Sequence, residues 1–354
     1  MKKLLILSFY FPPRNRISSY RTAGFCRHLT EFGWEPTVIC EDWPNHAPDY
    51  DSSLLEGLEN LAIHRINSYK PSGLERLLVR NVYPWVYPEK TPYNWWKLAL
   101  AKAIELCSTG RFDAIFASHD PLATLNIAQA LSKEFRIPWV ADLRDSWNVQ
   151  TLSSPRKQKL IASCELELCK DADSVVTVSG EIATRLESLT SKKIHVIGNG
   201  FDKIENLTSQ ESKKLRGVFS IIYAGNLAPC RNPAPLLKAL KQCIDEKKIS
   251  KDLFELHFLG VSASSISAHL LKEFSNVPIR FSPRVPRNDA IRQMCESSLL
   301  WVIPHPHEKG VLTGKIFDYL STERPIIAVP DDKGEINQLL AKTKAGCSLG
   351  NHQE

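Results

Sequence analysis

The chain has 354 residues, 43% of them apolar and 24% charged, with a formal net charge of +6. That length exceeds one ordinary core and calls for two domains. The charge is 24 basic against 22 acidic side chains in residues 1–200 and 21 against 17 in 201–354. So slight a bias argues against a nucleic-acid partner and suits anionic small ligands or an anionic membrane surface.

The first residues, MKKLLILSFYFPP, imitate a signal peptide, but no small-x-small cleavage site follows and Pro12 and Pro13 come at once. A buried first strand over Leu4–Phe9 is predicted instead. A helix over 18–32 comes next, then a strand at Pro36–Cys40 and a helix over 95–107. Strands at Ala114–Ala117, Pro138–Ala141, Ser174–Val178 and Ile194–Ile197 alternate with helices over 121–134, 157–170 and 180–189. Polar, Lys-rich residues 203–217 break the rhythm and read as a linker. The rhythm resumes with strands at Phe219–Ala224, Leu253–Leu259, Leu299–Ile303 and Ile326–Val329, and helices over 232–246, 287–297 and 333–342. A short helix-like run opens on Thr313, Gly314 and Lys315, and a last strand is expected at Ala345–Leu349. Strand and helix in alternation mean parallel sheets covered on both faces. The expected class is α/β, with two doubly wound Rossmann-like domains facing each other across a cleft: residues 1–202 and 218–354, with the linker between. No apolar run approaches the roughly 20 residues that cross a bilayer. The nine cysteines are scattered without a C-x-x-C pair, which points to a reducing cytosol.

Doubly wound sheets bind ligands at the carboxyl ends of their strands. After the first strand come Arg14, Arg16 and Arg21 around the start of a helix that Ser18 or Ser19 can cap. Three arginines there read as an anion site or as a solvated basic loop. The strand at 114–117 runs into His119, and the strand at 138–141 into Asp142, Arg144 and Asp145. Those two acids flanking an arginine read equally as an ion-pair network or as substrate contacts.

The stretches FYFPPRNR with HLTEFGWEPTVI, ASHDPLATLNIAQAL, IPWVADLRDSW, ADSVVTVSGEIATRL, IHVIGNGFD, YAGNL with RNPAPLLKAL, and TGKIFDYLSTERPIIAV follow one another along almost the whole chain. In that order they resemble family-4-type glycosyltransferases, whose two-domain fold is called GT-B. Singly each stretch is weak; the ordered set is specific. The resemblance implies sugar transfer from a nucleotide-sugar donor with retention of configuration, without a metal or other cofactor. It implies that the C-terminal domain holds the donor. Thr313, Gly314 and Lys315 then match the loop that meets the diphosphate, and Asp318 the acid that binds the ribose hydroxyls. Gly225 ends a strand, and Asn226 and Arg231 match the family's pair of phosphate-binding residues. His119 is expected to face the donor sugar. The acceptor implied is a cell-envelope glycan or a lipid-linked glycan, at the cytoplasmic membrane face.

The chain also departs from the family pattern. Of two glutamates eight residues apart, the second is Asp318 and the first falls on Gly310; Asn226 stands where an arginine is common, and the N-terminal loop has no Gly-Gly pair. The family continues through further helices after the last strand, and with Glu354 as the last residue these are expected to be missing. Two other readings stay open: a nucleotide-sugar epimerase of the same fold, and a truncated, non-catalytic nucleotide-sugar-binding partner protein. Asp171 and Asp173 have a D-x-D form but precede a buried strand, where a turn is expected. His305 and His307 lack further ligands at metal spacing. The segment 79–102 gathers Tyr83, Trp85, Tyr87, Tyr93, Trp95 and Trp96 among basic residues. It reads as packing at a domain edge or as a peripheral membrane contact.

Overall fold

The computed structural model describes residues 1–68, 93–144, 155–202, 217–228, 230–305, 312 and 314–350. The chain divides into two units, Met1–Asn199 and Gly200–Glu354. The expected linker lies outside the described residues except for Gly217.

The first unit holds strands β1 (Lys2–Ser8), β2 (Trp34–Glu41), β3 (Ala62–Ile66), β4 (Ala114–Ser118), β5 (Trp139–Leu143), β6 (Ser174–Thr177) and β7 (His195–Val196). They form one sheet in the order β3-β2-β1-β4-β5-β6-β7, parallel throughout. Its helices are α1 (Ile17–His28), α2 (Tyr93–Thr109), α3 (Leu122–Phe135), α4 (Pro155–Asp171) and α5 (Gly180–Thr190). β1 shows why its sequence is an unbroken apolar run. Leu5 and Leu7 join the core on one face of the sheet, and Leu4 and Ile6 the core on the other. Two helix ends use local chemistry. The Ser179 hydroxyl accepts from the Ile182 amide to start α5, and Arg136 closes α3 in the left-handed region with φ 56°.

The second unit repeats the plan. Its strands are β8 (Phe219–Ala224), β9 (Phe254–Leu259), β10 (Ile279–Ser282), β11 (Leu299–Val302), β12 (Ile326–Ala328) and β13 (Gly346–Ser348). They are ordered β10-β9-β8-β11-β12-β13, again all parallel. The helices are α6 (Ala234–Asp245), α7 (Ala268–Glu273), α8 (Arg287–Glu296), α9 (Lys315–Ser321) and α10 (Glu335–Thr343). Ile221 and Tyr223 face one core of this sheet, Ile222 and Ala224 the other. At the β12–β13 edge an ideal Cβ on Gly346 would lie 1.7 Å from the Ile326 carbonyl oxygen. That pairing therefore admits only glycine.

The expected strands and helices recur with small shifts at their ends, and the sequence reading missed β3, β10 and α7. At one residue of the aromatic segment the packing reading holds. Trp95 is not at a surface: it is buried and meets Phe9 edge-on, ring centroids 4.9 Å apart. Residues 79–92 of that segment lie outside the described residues. Among the described residues no helix is long and apolar enough to cross a membrane.

Candidate functional site

In each unit the strand order reverses beside the first strand, between β1 and β4 and between β8 and β11. The crevice beyond the strand ends at such a reversal is where doubly wound sheets bind ligands.

In the second unit β11 pairs with β8 only from Leu299 and Leu300 to Ile221 and Ile222. Beyond that the strands part, and a side chain from α9 fills the place of a ladder bond. The Tyr319 hydroxyl accepts from the Ala224 amide at 2.8 Å and donates to the Trp301 carbonyl at 3.1 Å. Burial pushes this phenol far up from its ordinary pKa. α9 is thereby fixed to both strands, and with it Lys315 and Asp318.

Past the strand ends, Gly225 has φ +91°, a conformation that suits glycine. A Cβ there would lie 3.6 Å from Lys315 Nζ. Lys315 Nζ stands 3.9 Å from the centre of the Tyr223 ring and 3.5 Å from the Asn226 carbonyl oxygen. Arg231 Nη1 donates to the Ile303 carbonyl at the end of β11. Gly225 and Asn226 are exposed, and Arg231 and Lys315 half-buried. Burial first, and then the charge of Arg231, holds the Lys315 ammonium well below its ordinary pKa. Among the described residues neither cation has a carboxylate within ion-pair distance. Two cations share the mouth of one crevice and each raises the cost of the other, an arrangement that an anion would relieve.

Asp318 lies one turn into α9, with its side chain 22% exposed. Arg287, the first residue of α8, donates to Asp318 Oδ1 from Nη2 at 2.5 Å and from Nε at 3.1 Å. Oδ2 receives no donor among the described residues. Burial raises the Asp318 pKa, and Arg287 opposes that rise. Sequence reasoning missed Arg287, for the pair spans 31 positions and neither local context announces the other. Gly314 has φ −55° and ψ −29°, helical values open to any residue. Thr313 lies outside the described residues. His305, at the same strand end, has Nε2 3.4 Å from Cys230 Sγ, and His307 lies outside the described residues.

In the first unit each of the three arginines read as an anion site or a solvated basic loop meets a carboxylate. Arg14 pairs with Glu41 at 2.9 Å and lies over the Trp43 ring at 3.5 Å. Arg16 pairs with Asp49 at 3.2 Å. Arg21 is buried in the interior, where Nη2 and Nε donate to Asp142 Oδ1 at 2.9 and 3.2 Å. Its Nη1 donates to the carbonyls of Ile197 and Gly198 at 2.8 and 3.1 Å. Ser118 completes Asp142 with a hydroxyl donated to Oδ2 at 2.9 Å. Asp142 is thus a structural ion-pair partner, while Asp145 lies outside the described residues. Arg144 is buried and its Nε donates to the His119 carbonyl. This anchors His119, itself 2% exposed, at the end of β4 beside the strand reversal. Asp173 holds the start of β5, its Oδ2 accepting the Trp139 amide at 2.9 Å across from β6, and Asp171 pairs with Lys133 at 3.5 Å.

The model of the family described as Glycosyltransferase Family 4 matches residues 19–203. No curated protein matches the chain. Among solved structures, it is similar to Anabaena Alr3699/HepE in complex with UDP, at 16% identity and a TM-score of 0.65, over 99% of this chain and 86% of that one. A glycosyltransferase from Rickettsia africae ESF-5 is similar at 13% identity and a TM-score of 0.65, over 99% and 85%. The UDP-GlcNAc 2-epimerase of Methanocaldococcus jannaschii is similar at 14% identity and a TM-score of 0.57, over 99% and 89%. At these identities the structural likeness is one of fold.

Proposed function

The chain belongs to glycosyltransferase family 4, and on that premise we propose that it moves a sugar from a nucleotide-sugar donor to a hydroxyl of a glycan or lipid-linked acceptor, with retention of configuration and without a metal. One observation carries this reading: Arg231 and Lys315, without a carboxylate partner among the described residues, flank the strand reversal of the second unit. The leaving diphosphate gathers negative charge as the glycosidic bond breaks, and two fixed cations stabilise that charge where it develops. They do the work a divalent cation does elsewhere. Asp318 binds the ribose, since a carboxylate accepts from both hydroxyls. The departing phosphate takes the acceptor's proton, so no protein base is required. His119 positions the sugar and steadies charge in the transition state.

UDP is the nucleotide to try first, because HepE was solved with it. The cell envelope and the cytoplasmic membrane face are proposed from the family resemblance. The likeness to a UDP-GlcNAc 2-epimerase supports a second reading, epimerisation of the donor itself. A thermal-shift screen against nucleotide sugars identifies the donor, since a ligand bound only by the folded state raises its stability. Incubating that donor with membrane-derived acceptor then decides between the readings. Labelled sugar in the acceptor with UDP released supports transfer, and an altered sugar still attached to UDP supports epimerisation. Binding with neither product means a non-catalytic nucleotide-sugar-binding protein.

A further inference from the structure

Arg287 is absent from the motifs that mark the donor site, yet it makes both hydrogen bonds received by the carboxyl of Asp318. The geometry is one-sided: Nη2 and Nε both donate to Oδ1, and Oδ2 has no donor among the described residues. Both side chains are partly exposed, at 18% and 22%. A carboxylate near two phosphates repels them, and a guanidinium on one of its oxygens reduces that repulsion while leaving the other as an acceptor. The planar fork of arginine also fixes a carboxyl orientation that a single-point cation does not.

We infer that Arg287 is a positioning residue for donor binding, holding Asp318 by Oδ1 so that Oδ2 accepts from the ribose hydroxyls of the nucleotide. The inference rests on the donor-site reading of Asp318, and the two are separable. The experiment measures the Kd of UDP and of 2′,3′-dideoxy-UDP by calorimetry for the wild type, Arg287→Ala, Arg287→Lys, Asp318→Ala and the double variant Arg287→Ala with Asp318→Ala. The expected result is about a tenfold loss of UDP affinity in Arg287→Ala, with less than a twofold change for the dideoxy nucleotide. Arg287→Lys recovers part of the loss, and in the Asp318→Ala background removing Arg287 costs nothing more. Equal loss for both nucleotides, no rescue by lysine, or a further loss in the double variant overturns the inference. If Asp318→Ala weakens UDP but Arg287→Ala does not, Arg287 alone is misassigned. If Asp318→Ala leaves UDP affinity unchanged, the ribose reading falls and this inference with it. Should Arg287→Ala fail to fold, Arg287→Gln, which is shorter, uncharged and without the guanidinium fork, takes its place with the same expected pattern.

Discussion

Arg21 and Asp142 stand 121 positions apart and meet in the interior of the first unit, their side chains 2% and 0% exposed. The guanidinium joins α1 to the carboxyl end of β5 and to the carbonyls that follow β7.

Removing one member of such a pair leaves a charge buried without compensation. Asp142→Asn is therefore expected to lower the unfolding free energy by about 3–5 kcal/mol. Urea denaturation measures the loss. UDP affinity of the folded variant should match the wild type; a stable variant that has lost substrate binding instead would return Asp142 to the ligand contacts.

Lys315→Ala should weaken UDP binding by about 1–3 kcal/mol, the range for a charge-assisted hydrogen bond, and leave uridine binding nearly unchanged. A second consequence follows from the lowered pKa of the free side chain. A bound diphosphate favours the ammonium and raises that pKa, so binding takes up protons where the pH lies between the free and the bound value. Calorimetry in buffers of different ionisation enthalpy reads the uptake, which Lys315→Ala should abolish. Proton release in the wild type would contradict the assignment.

His119 is expected to act in the transition state. His119→Ala should lower kcat more than it raises KM, and turnover of the wild type should survive EDTA. Activity lost in EDTA and restored by Mg²⁺ would show that Arg231 and Lys315 do not suffice for the leaving group.

His257 predicts how stability depends on pH. It is buried, Arg280 Nη2 donates to its Nδ1 at 2.9 Å, and its Nε2 therefore donates to Ser282 Oγ at 2.8 Å. Burial, and then Arg280, lowers its pKa from 6.5 to about 4. The unfolded chain binds the proton more readily, so this contribution is complete above about pH 6.5 and is lost as pH falls toward 4. Between pH 7 and 5 the loss is about 2 kcal/mol. Denaturation midpoints across that window should slope accordingly, and His257→Gln should flatten the slope.

The central strands were legible because both of their faces are buried. Leu4 to Leu7 and Ile221 to Ala224 are unbroken apolar runs for that reason. β3 and β10 are edge strands whose residues stay partly exposed, so His64, Arg65 and Arg280 sit among their apolar residues and hide the pattern. Lys315 stood out because a glycine and a lysine open a short helix-like run, and Arg231 through the family resemblance. Arg14, Arg16 and Arg21 read as an anion site or a solvated loop because their partners, Glu41, Asp49 and Asp142, reach them only through folding. Arg287 was hidden for the same reason, as ion pairs across elements leave no mark in either local sequence.

The Ala224 amide is held by a phenol and not by a neighbouring strand. Amides inside a strand ladder exchange their hydrogens with solvent only when the ladder opens. This one becomes exchangeable whenever α9 lifts Tyr319 away, so its exchange rate reports the motion of a helix 95 positions distant in the chain. A ligand that steadies Lys315 and Asp318 steadies that helix, and slows a single amide on β8. The fold thus contains its own occupancy gauge, readable by NMR without a labelled sugar or a known acceptor.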